Sequence, residues 1–451
     1  YDYIPETERH GTVRSQFQLW FMVNATLITL YTGAVGPAMG LSLAWSLVAI
    51  TAGTFAGTLF QAFHGAQGPH MGLPQMIQSR VQFGSAGVLL PIAAATVAPF
   101  GFALFFIQTG AHAIMDVSGL DQAAFIQFAL TAAAAAIAIV GYRLVMKVET
   151  LAAYAIVINF GLLTIAAFVM LPWDGMLAKG AFVATPFVAQ FGASAIYQLA
   201  IAPIVSDYTR YLPSKTRGAA VSAAVFFGTV SSALWFEAFG ATLITAFPDA
   251  DVVSSLWHLG DSAGFGLGAI TMILAAATCL ITAAVTAYSG TIAFLSGLEA
   301  FRRIEPTAAL RAWSIGIGMT FVLIGSLSMS EDTLGSFGAF LSILGYLLIP
   351  WTAVNLTDYY FVRRGQYSIT DIMRPDGGIY GRWGWIGIIS YLAGFMAMIP
   401  FVSSALYTGP IAAAIGGADI SFVVGLLVSS LLYYKLAQRL DLAAELDLVR
   451  K

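Results

Sequence analysis

The sequence predicts an all-α integral membrane protein of about twelve transmembrane helices, and three observations carry that prediction. Hydrophobic residues make up 59% of the 451 and charged residues only 10%, with mean hydropathy +0.82; a soluble domain carries about 25% charged residues. The apolar runs are continuous, where a β-barrel would alternate with period two over segments of about ten residues. The charges sort by sign between successive runs, as a membrane topology requires. No stretch reads as a linker, so residues 1–451 form a single transmembrane domain.

Crossing a hydrocarbon core takes about 20 mostly apolar helical residues. After a polar segment 1–16, the runs fall at 17–39, 43–63, 87–114, 122–141, 150–171 and 184–207. They continue at 217–246, 263–297, 308–329, 334–361, 384–405 and 416–438, followed by a polar tail, 439–451. Two runs are interrupted: the first holds TGAVGPAMG (Thr32 to Gly40), and the sixth holds FGAS (Phe191 to Ser194) and then Pro203. Gly and Pro weaken helices, and unpaired backbone in a membrane is tolerated only against protein or a wet cavity. Interruptions at matching positions, one and six, point to two inverted repeats of five helices spanning 17–361, with 384–438 as two extra helices.

With the amino terminus cytoplasmic, every Lys and Arg but Lys179 falls on the inner side, including Arg80, Arg143, Lys147, Arg210, Arg302, Arg303, Arg363, Arg450 and Lys451. The outer loops carry acids instead, among them Asp116, Asp174, Asp251, Asp261, Glu331 and Asp419. The positive-inside rule therefore places both termini in the cytoplasm of a multi-pass protein. The opening YDYIPETERHGTV lacks the basic-then-apolar order of a signal peptide and reads as the remainder of a longer tail. With the Ala-rich composition, this fits a bacterial inner (plasma) membrane.

The same inventory excludes several function classes. Cys279 is the one cysteine, so neither a disulfide nor a Cys-based metal site is available. His10, His64, His70, His112 and His258 are scattered, with no metal-ligand spacing and no Ser–His pairing for an enzyme. No Gly-x-x-x-x-Gly-Lys loop supports ATP-driven transport, no filter-like repeat supports a channel, and no basic patch supports a nucleic-acid partner.

Four islands then stand in order along the chain. They are FQLWFMVNATL (Phe17 to Leu27), HGAQGPHMGLPQMIQSRVQFG (His64 to Gly84), SDYTRYLP (Ser206 to Pro213) and PWTAVNLTDYYFVRRGQY (Pro350 to Tyr367), the last followed by YGRWGW (Tyr380 to Trp385). Together they resemble nucleobase–cation symporter family 1. The resemblance implies the LeuT-type fold and import of a purine, pyrimidine or related ring such as hydantoin or allantoin. It implies no cofactor beyond the coupling ion, Na+ or H+, with the ring, that ion and the lipid bilayer as partners. Within the islands, Asp207 and Arg210 are three apart on one helical face, a spacing for a structural staple. Asp358, Arg363 and Arg364 mark a similar helix end.

A flat heterocycle needs aromatic faces to stack on and amide-like groups to read its edge. Phe105, Gln108 and His112 share one stripe of span three, and Gln108 is the expected reader of the base. Where the family carries an aromatic four residues before that amide, this chain has Leu104 beside Phe105 and Phe106. In span six, Tyr197 and Gln198 occupy the region where the family places a stacking aromatic. Asn24 in span one is a polar residue in an apolar run, which wants partners. For the cation, Thr278, Thr282 and Thr286 put hydroxyls on one face of span eight, with Thr278 and Thr282 the expected Na+ ligands. The family's asparagine a turn beyond is replaced here by Ala283, Ala284 and Val285. Glu237, an acid among aromatics in span seven, is the rival site for proton coupling. The runner-up cargo is another small ring, such as hydantoin, allantoin or a B-vitamin precursor.

Overall fold

The computed structural model describes residues 3–140, 142–178, 180–298, 307–329, 332–404 and 407–449. Lys179, Arg302, Arg303, Glu331, Arg450 and Lys451 of the charge pattern lie outside the described residues. Among the described residues the chain is helical, with one isolated β-bridge between Ser403 and Thr408.

The first repeat contains α1 (Val13–Val23), α2 (Leu27–Ala38), α3 (Leu43–Gly65), and the short helices α4 (Gln67–Met71), α5 (Gln75–Gln78) and α6 (Arg80–Phe83). It continues with α7 (Leu89–Ser118), α8 (Ala123–Val140), α9 (Tyr142–Met170) and the short α10 (Trp173–Ala178). The second contains α11 (Ala184–Leu199), α12 (Ala202–Thr209), α13 (Gly218–Ala246), α14 (Val252–Ala263), α15 (Leu267–Leu298), α16 (Ala308–Ser328) and α17 (Thr333–Thr357). The chain ends with α18 (Ile369–Ile372), α19 (Trp385–Met398), α20 (Pro410–Ala414), α21 (Ser421–Ala437) and α22 (Leu442–Val449). By length and composition eight helices among the described residues can cross a membrane, and α1 with α2 makes a ninth span bent by 58°. Three shorter apolar helices, Tyr154–Met170, Trp385–Phe401 and Ser421–Ala437, occupy the remaining apolar runs.

The packing itself displays the repeat. Helix α2 lies against α13 just as α11 lies against α3, and α7 lies against its counterpart α15. Both related contacts are backbone on backbone. A Cβ at Gly33 would collide with the Glu237 carbonyl, and one at Gly57 would collide with the Ala195 carbonyl. Without a hydrophobic force between helices in lipid, such close approach supplies the packing attraction.

Two expectations are corrected here. The first break is at residues 24–26, ahead of TGAVGPAMG, and α2 runs through Gly33, Gly36 and Pro37. Those glycines serve close helix approach rather than unwinding. Likewise FGAS stays helical, and span six loosens only at Ala200 and Ile201, with Ala184–Thr209 qualifying as one span. Helix α14 is also additional: an amphipathic segment too short to cross, capped by the Asp251 carboxylate on the N–H groups of Val253 and Ser254.

A valine at Gly57 forces α3 and α11 apart and is expected to cost about 1–3 kcal/mol, the usual penalty of overpacking. Alanine at Gly192, on the same α11 but with open space around its Cβ, is expected to leave the melting temperature unchanged. Equal shifts in thermal melts of the two variants would contradict the close-approach role.

Candidate functional site

The break between α1 and α2 places a polar side chain deep in the bundle. Asn24 caps α1, is 0% exposed, and neither atom of its amide has a hydrogen-bond partner. Each buried unsatisfied group costs about 1–3 kcal/mol, so in a native protein such a group normally meets a ligand, an ion or ordered water. One turn on, Thr26 and Thr29 hydroxyls lie 3.2 Å apart, and Thr29 meets the Tyr197 hydroxyl at 2.9 Å. Tyr197 thereby ties the start of α2 to the last turn of α11.

Around this tie stands an aromatic cage from α2, α7, α11 and α17. Phe102 meets Tyr197 edge-on at 5.9 Å, and Phe337 lies 6.5 Å from Tyr197 and 6.3 Å from Tyr31. Phe105 packs on Phe337 and Phe340 at 5.1 and 5.4 Å. These geometries suit insertion of a flat ring among aromatic edges and faces. Above the cage a cavity of about 230 Å³ opens, lined by Tyr31, Ala38, Ile244, Asp251, Thr333 and Leu334 among others. The sequence reading missed Tyr31, Phe102, Phe337 and Phe340, because single aromatics are unremarked in a chain with 32 phenylalanines.

Beside the cage, Glu237 of α13 is 0% exposed. Its carboxylate accepts from Gln198 Nε2 at 3.2 Å and from the Thr54 hydroxyl at 3.3 Å. Gln190, also missed from sequence, ties α11 to α2: its Oε1 accepts from the Gly36 N–H at 2.7 Å and its Nε2 donates to the Thr32 carbonyl at 2.9 Å.

The remaining expected residues stand apart from this centre. Gln108 turns towards α8 and α16, its Oε1 accepting from Gln127 at 2.6 Å and from Ser326 at 3.5 Å. His112, 3.3 Å from Gln108, faces the rim of the cavity with its Nδ1 3.9 Å from Asp251. The structure thus brings Asn24, Phe105, Tyr197, Gln198 and Glu237 together, and sets Gln108 and His112 on an adjoining branch. On α15, the Thr278 hydroxyl donates to the Leu274 carbonyl at 2.8 Å, and Thr286 donates to the Thr282 carbonyl at 2.8 Å. All three threonines are partly exposed, on a stripe adjoining that of buried Ala275, Cys279 and Ala283.

The second, third and fourth sequence islands converge elsewhere, on the end of the bundle rich in arginine. The Thr209 hydroxyl donates to the Gly65 carbonyl at 2.8 Å, and Asp207 accepts the Gln75 N–H at 2.9 Å. Arg210 Nε donates to the Asp207 carbonyl at 3.2 Å. Asp358, wholly buried, accepts from Gln82 at 2.7 Å, Tyr433 at 2.8 Å, Tyr367 at 2.9 Å and Arg363 at 2.6 Å. Arg363 also forks onto Glu445 at 2.8 and 3.1 Å. Burial opposes its charge, but Asp358, Tyr433 and Glu445 outweigh that and hold its pKa above the ordinary arginine value.

A broken first helix, two interlocked five-helix repeats, and a buried polar and aromatic centre at the break define a membrane transporter. Residues 3–425 match the family of permeases for cytosine/purines, uracil, thiamine and allantoin. The chain belongs to that family. It is 35% identical over 446 residues to YxlA of Bacillus subtilis (strain 168), named as a purine-cytosine permease, covering 96% of this chain and 94% of the relative. It is 22% identical to the purine-cytosine permease fcyB of Emericella nidulans, over 95% of this chain and 86% of that one. Among solved structures it resembles Mhp1, a nucleobase-cation-symport-1 family transporter, in a closed conformation with bromovinylhydantoin bound. The TM-score is 0.75 at 17% identity, covering 98% of this chain and 97% of that one. That likeness shows the fold, the LeuT-type arrangement of helices.

Proposed function

We propose that this protein imports a nucleobase or similar flat heterocycle of the purine/cytosine type, by symport with a cation and alternating access, between Asn24 and the aromatic cage. The unpartnered Asn24 amide carries the reading: its NH2 can donate and its carbonyl accept, the complement of an amide-edged ring. The positive-inside pattern supports an orientation with both termini cytoplasmic in a bacterial inner membrane. Specificity among rings rests on such buried hydrogen bonds, since a site built for a polar edge rejects a ring that lacks it. Hydantoin, allantoin and B-vitamin precursors are the second reading for cargo, favoured by the hydantoin-bound relative.

For the coupling ion we favour a proton at Glu237. Among the described residues no cation pairs with this buried carboxylate, and a membrane-embedded acid is functional by default. Sodium at Thr278 and Thr282 is the second reading; their hydroxyl lone pairs remain compatible with a cation.

Thermal stability of the purified protein against purines, pyrimidines, hydantoins, allantoin and B-vitamin rings, with and without sodium, tests cargo and ion together. A ring at a hundredfold excess over its Kd should stabilise by about 2.7 kcal/mol, and proton coupling predicts a shift indifferent to sodium. No shift with any ring would remove the cargo reading. Glu237→Gln should abolish accumulation driven by a pH gradient while leaving ring exchange; retained accumulation would return the assignment to sodium.

A further inference from the structure

Helix α3 carries a second polar feature, outside the ring site. Thr54, Thr58, Gln61 and His64 follow at intervals of four, three and three residues, which places them on one helical stripe. Each is 0% exposed, while Phe55, Leu59 and Phe63 of the same helix are exposed apolar residues. A stripe of four buried polar side chains in a membrane helix is costly unless used.

Both ends of the stripe are tied to carboxylates. At the top, Thr54 donates to Glu237 at 3.3 Å. Ten residues later, about 15 Å along the helix, His64 stacks on Trp351 at 4.6 Å with Nε2 3.4 Å from the Thr352 hydroxyl. Three residues beyond it, Gln67 donates to Asn355 at 2.8 Å, and Asn355 donates to Gln82 at 3.3 Å. Gln82 then donates to Asp358 at 2.7 Å, on the arginine-rich face of the bundle.

The middle is unsatisfied. Neither amide atom of Gln61 has a hydrogen-bond partner, nor does the Thr58 hydroxyl, nor that of Thr229 on the facing α13. Helix α13 meets this part of α3 between two anchors, Glu237 against Thr54 and Ser222 against the Ala62 carbonyl at 2.9 Å. Buried polar atoms without protein partners are normally satisfied by ordered water, provided the site offers several polar groups. This one does.

We propose that the α3 stripe is a hydrated proton route joining Glu237 to the arginine-rich face, with Gln61 and Thr58 holding the water in its middle. The inference rests on the proton assignment of Glu237 and adds the path by which that proton leaves. The carboxyl gives its proton to stripe water and becomes carboxylate, and a proton is released to water at the Gln67 end; no bond to carbon changes and nothing is oxidised. The ionisable groups on the elements around Glu237 are Tyr197 of α11, Tyr31 of α2, His64 of α3, Arg14 of α1 and His70 of α4. Asp251, just ahead of α14, His258 and Asp261 within it, and Tyr154 of α9 belong to the same set. None of these hydrogen-bonds the carboxylate; its partners are Ser194, Gln198 and Thr54.

The test uses full-length protein in liposomes and the variants Gln61→Leu and Thr58→Val, which keep side-chain size and remove polarity. Deuterium exchange of the Glu237 carboxyl, followed by its infrared band with Glu237→Gln as the blank, needs no substrate. At least about tenfold slower exchange is expected in Gln61→Leu, with Thr58→Val in the same direction, for a lost relay of about 1.4 kcal/mol. Exchange at the wild-type rate in both variants overturns the route. Ring exchange without a gradient, probed with adenine, cytosine, uracil, hydantoin and allantoin, serves as the folding control and should persist in both. Absence of ring exchange in the wild type would defeat the symport reading, while the infrared result would still decide the route.

Discussion

Arg363→Ala is expected to destabilise the protein by about 3–5 kcal/mol, because it leaves the wholly buried Asp358 carboxylate without its cation. The same guanidinium holds Glu445, so its loss also frees α22 from the end of α17. Thermal melts of the purified protein measure the effect, and Asp358→Asn combined with Arg363→Met should recover most of it by removing both charges. The contrasting pair Arg374 and Asp376, 2.7 Å apart but on the surface, should melt as wild type when Arg374 is replaced. A shift in Arg363→Ala no larger than in Arg374→Ala would mean that the island network does not hold the bundle together.

Tyr197→Ala is expected to weaken ring binding by about 1–3 kcal/mol, roughly 5- to 150-fold in Kd, through loss of an aromatic wall and of the tie to Thr29. Tyr197→Phe separates the two contributions. It keeps the wall and removes only the hydroxyl bond, so its cost should stay within about 0.5–1.5 kcal/mol. Asn24→Ala removes the orphaned amide itself, so it should lower affinity while leaving the melting temperature of the empty protein unchanged or raised. That opposite movement of stability and affinity is the signature of a group kept for a ligand. Equal affinity in Tyr197→Ala and wild type, by titration calorimetry, would place the ring elsewhere.

How much of this was legible from sequence depended on the physical scale of each signal. The membrane helices were legible because about 20 apolar residues in a row admit few other readings. Helix α14 was not, since twelve amphipathic residues fall short of that length. The location of the break was misread for a chemical reason. Gly33 and Gly36 signal flexibility and close approach alike, and only packing against Glu237 and Gln190 decides between them. The chain instead breaks at Asn24, between the end of α1 and the start of α2.

Site residues divided in the same way. Asn24, Tyr197, Gln198 and Glu237 were visible as polar groups in apolar runs, where burial is costly enough to be informative. Gln108 was visible for the same reason, yet its carbonyl faces Gln127 of α8, a direction that spacing along α7 could not reveal. The stripe on α3 passed unnoticed because its members are spread among threonines and glycines, and becomes apparent only once the buried face is known. The second, third and fourth islands, most recognisable as motifs, are the parts that bind one another.

The central claim is that a flat ring and a cation cross together through the centre at Asn24, Tyr197 and Glu237. Uptake of labelled adenine, cytosine, uracil, hydantoin and allantoin into proteoliposomes, under an imposed pH gradient or an imposed sodium gradient, tests it most directly. One ring should accumulate above its outside concentration when the pH gradient is imposed, and that accumulation should vanish in Glu237→Gln and with an uncoupler. Equilibration of every ring without accumulation under either gradient would contradict symport.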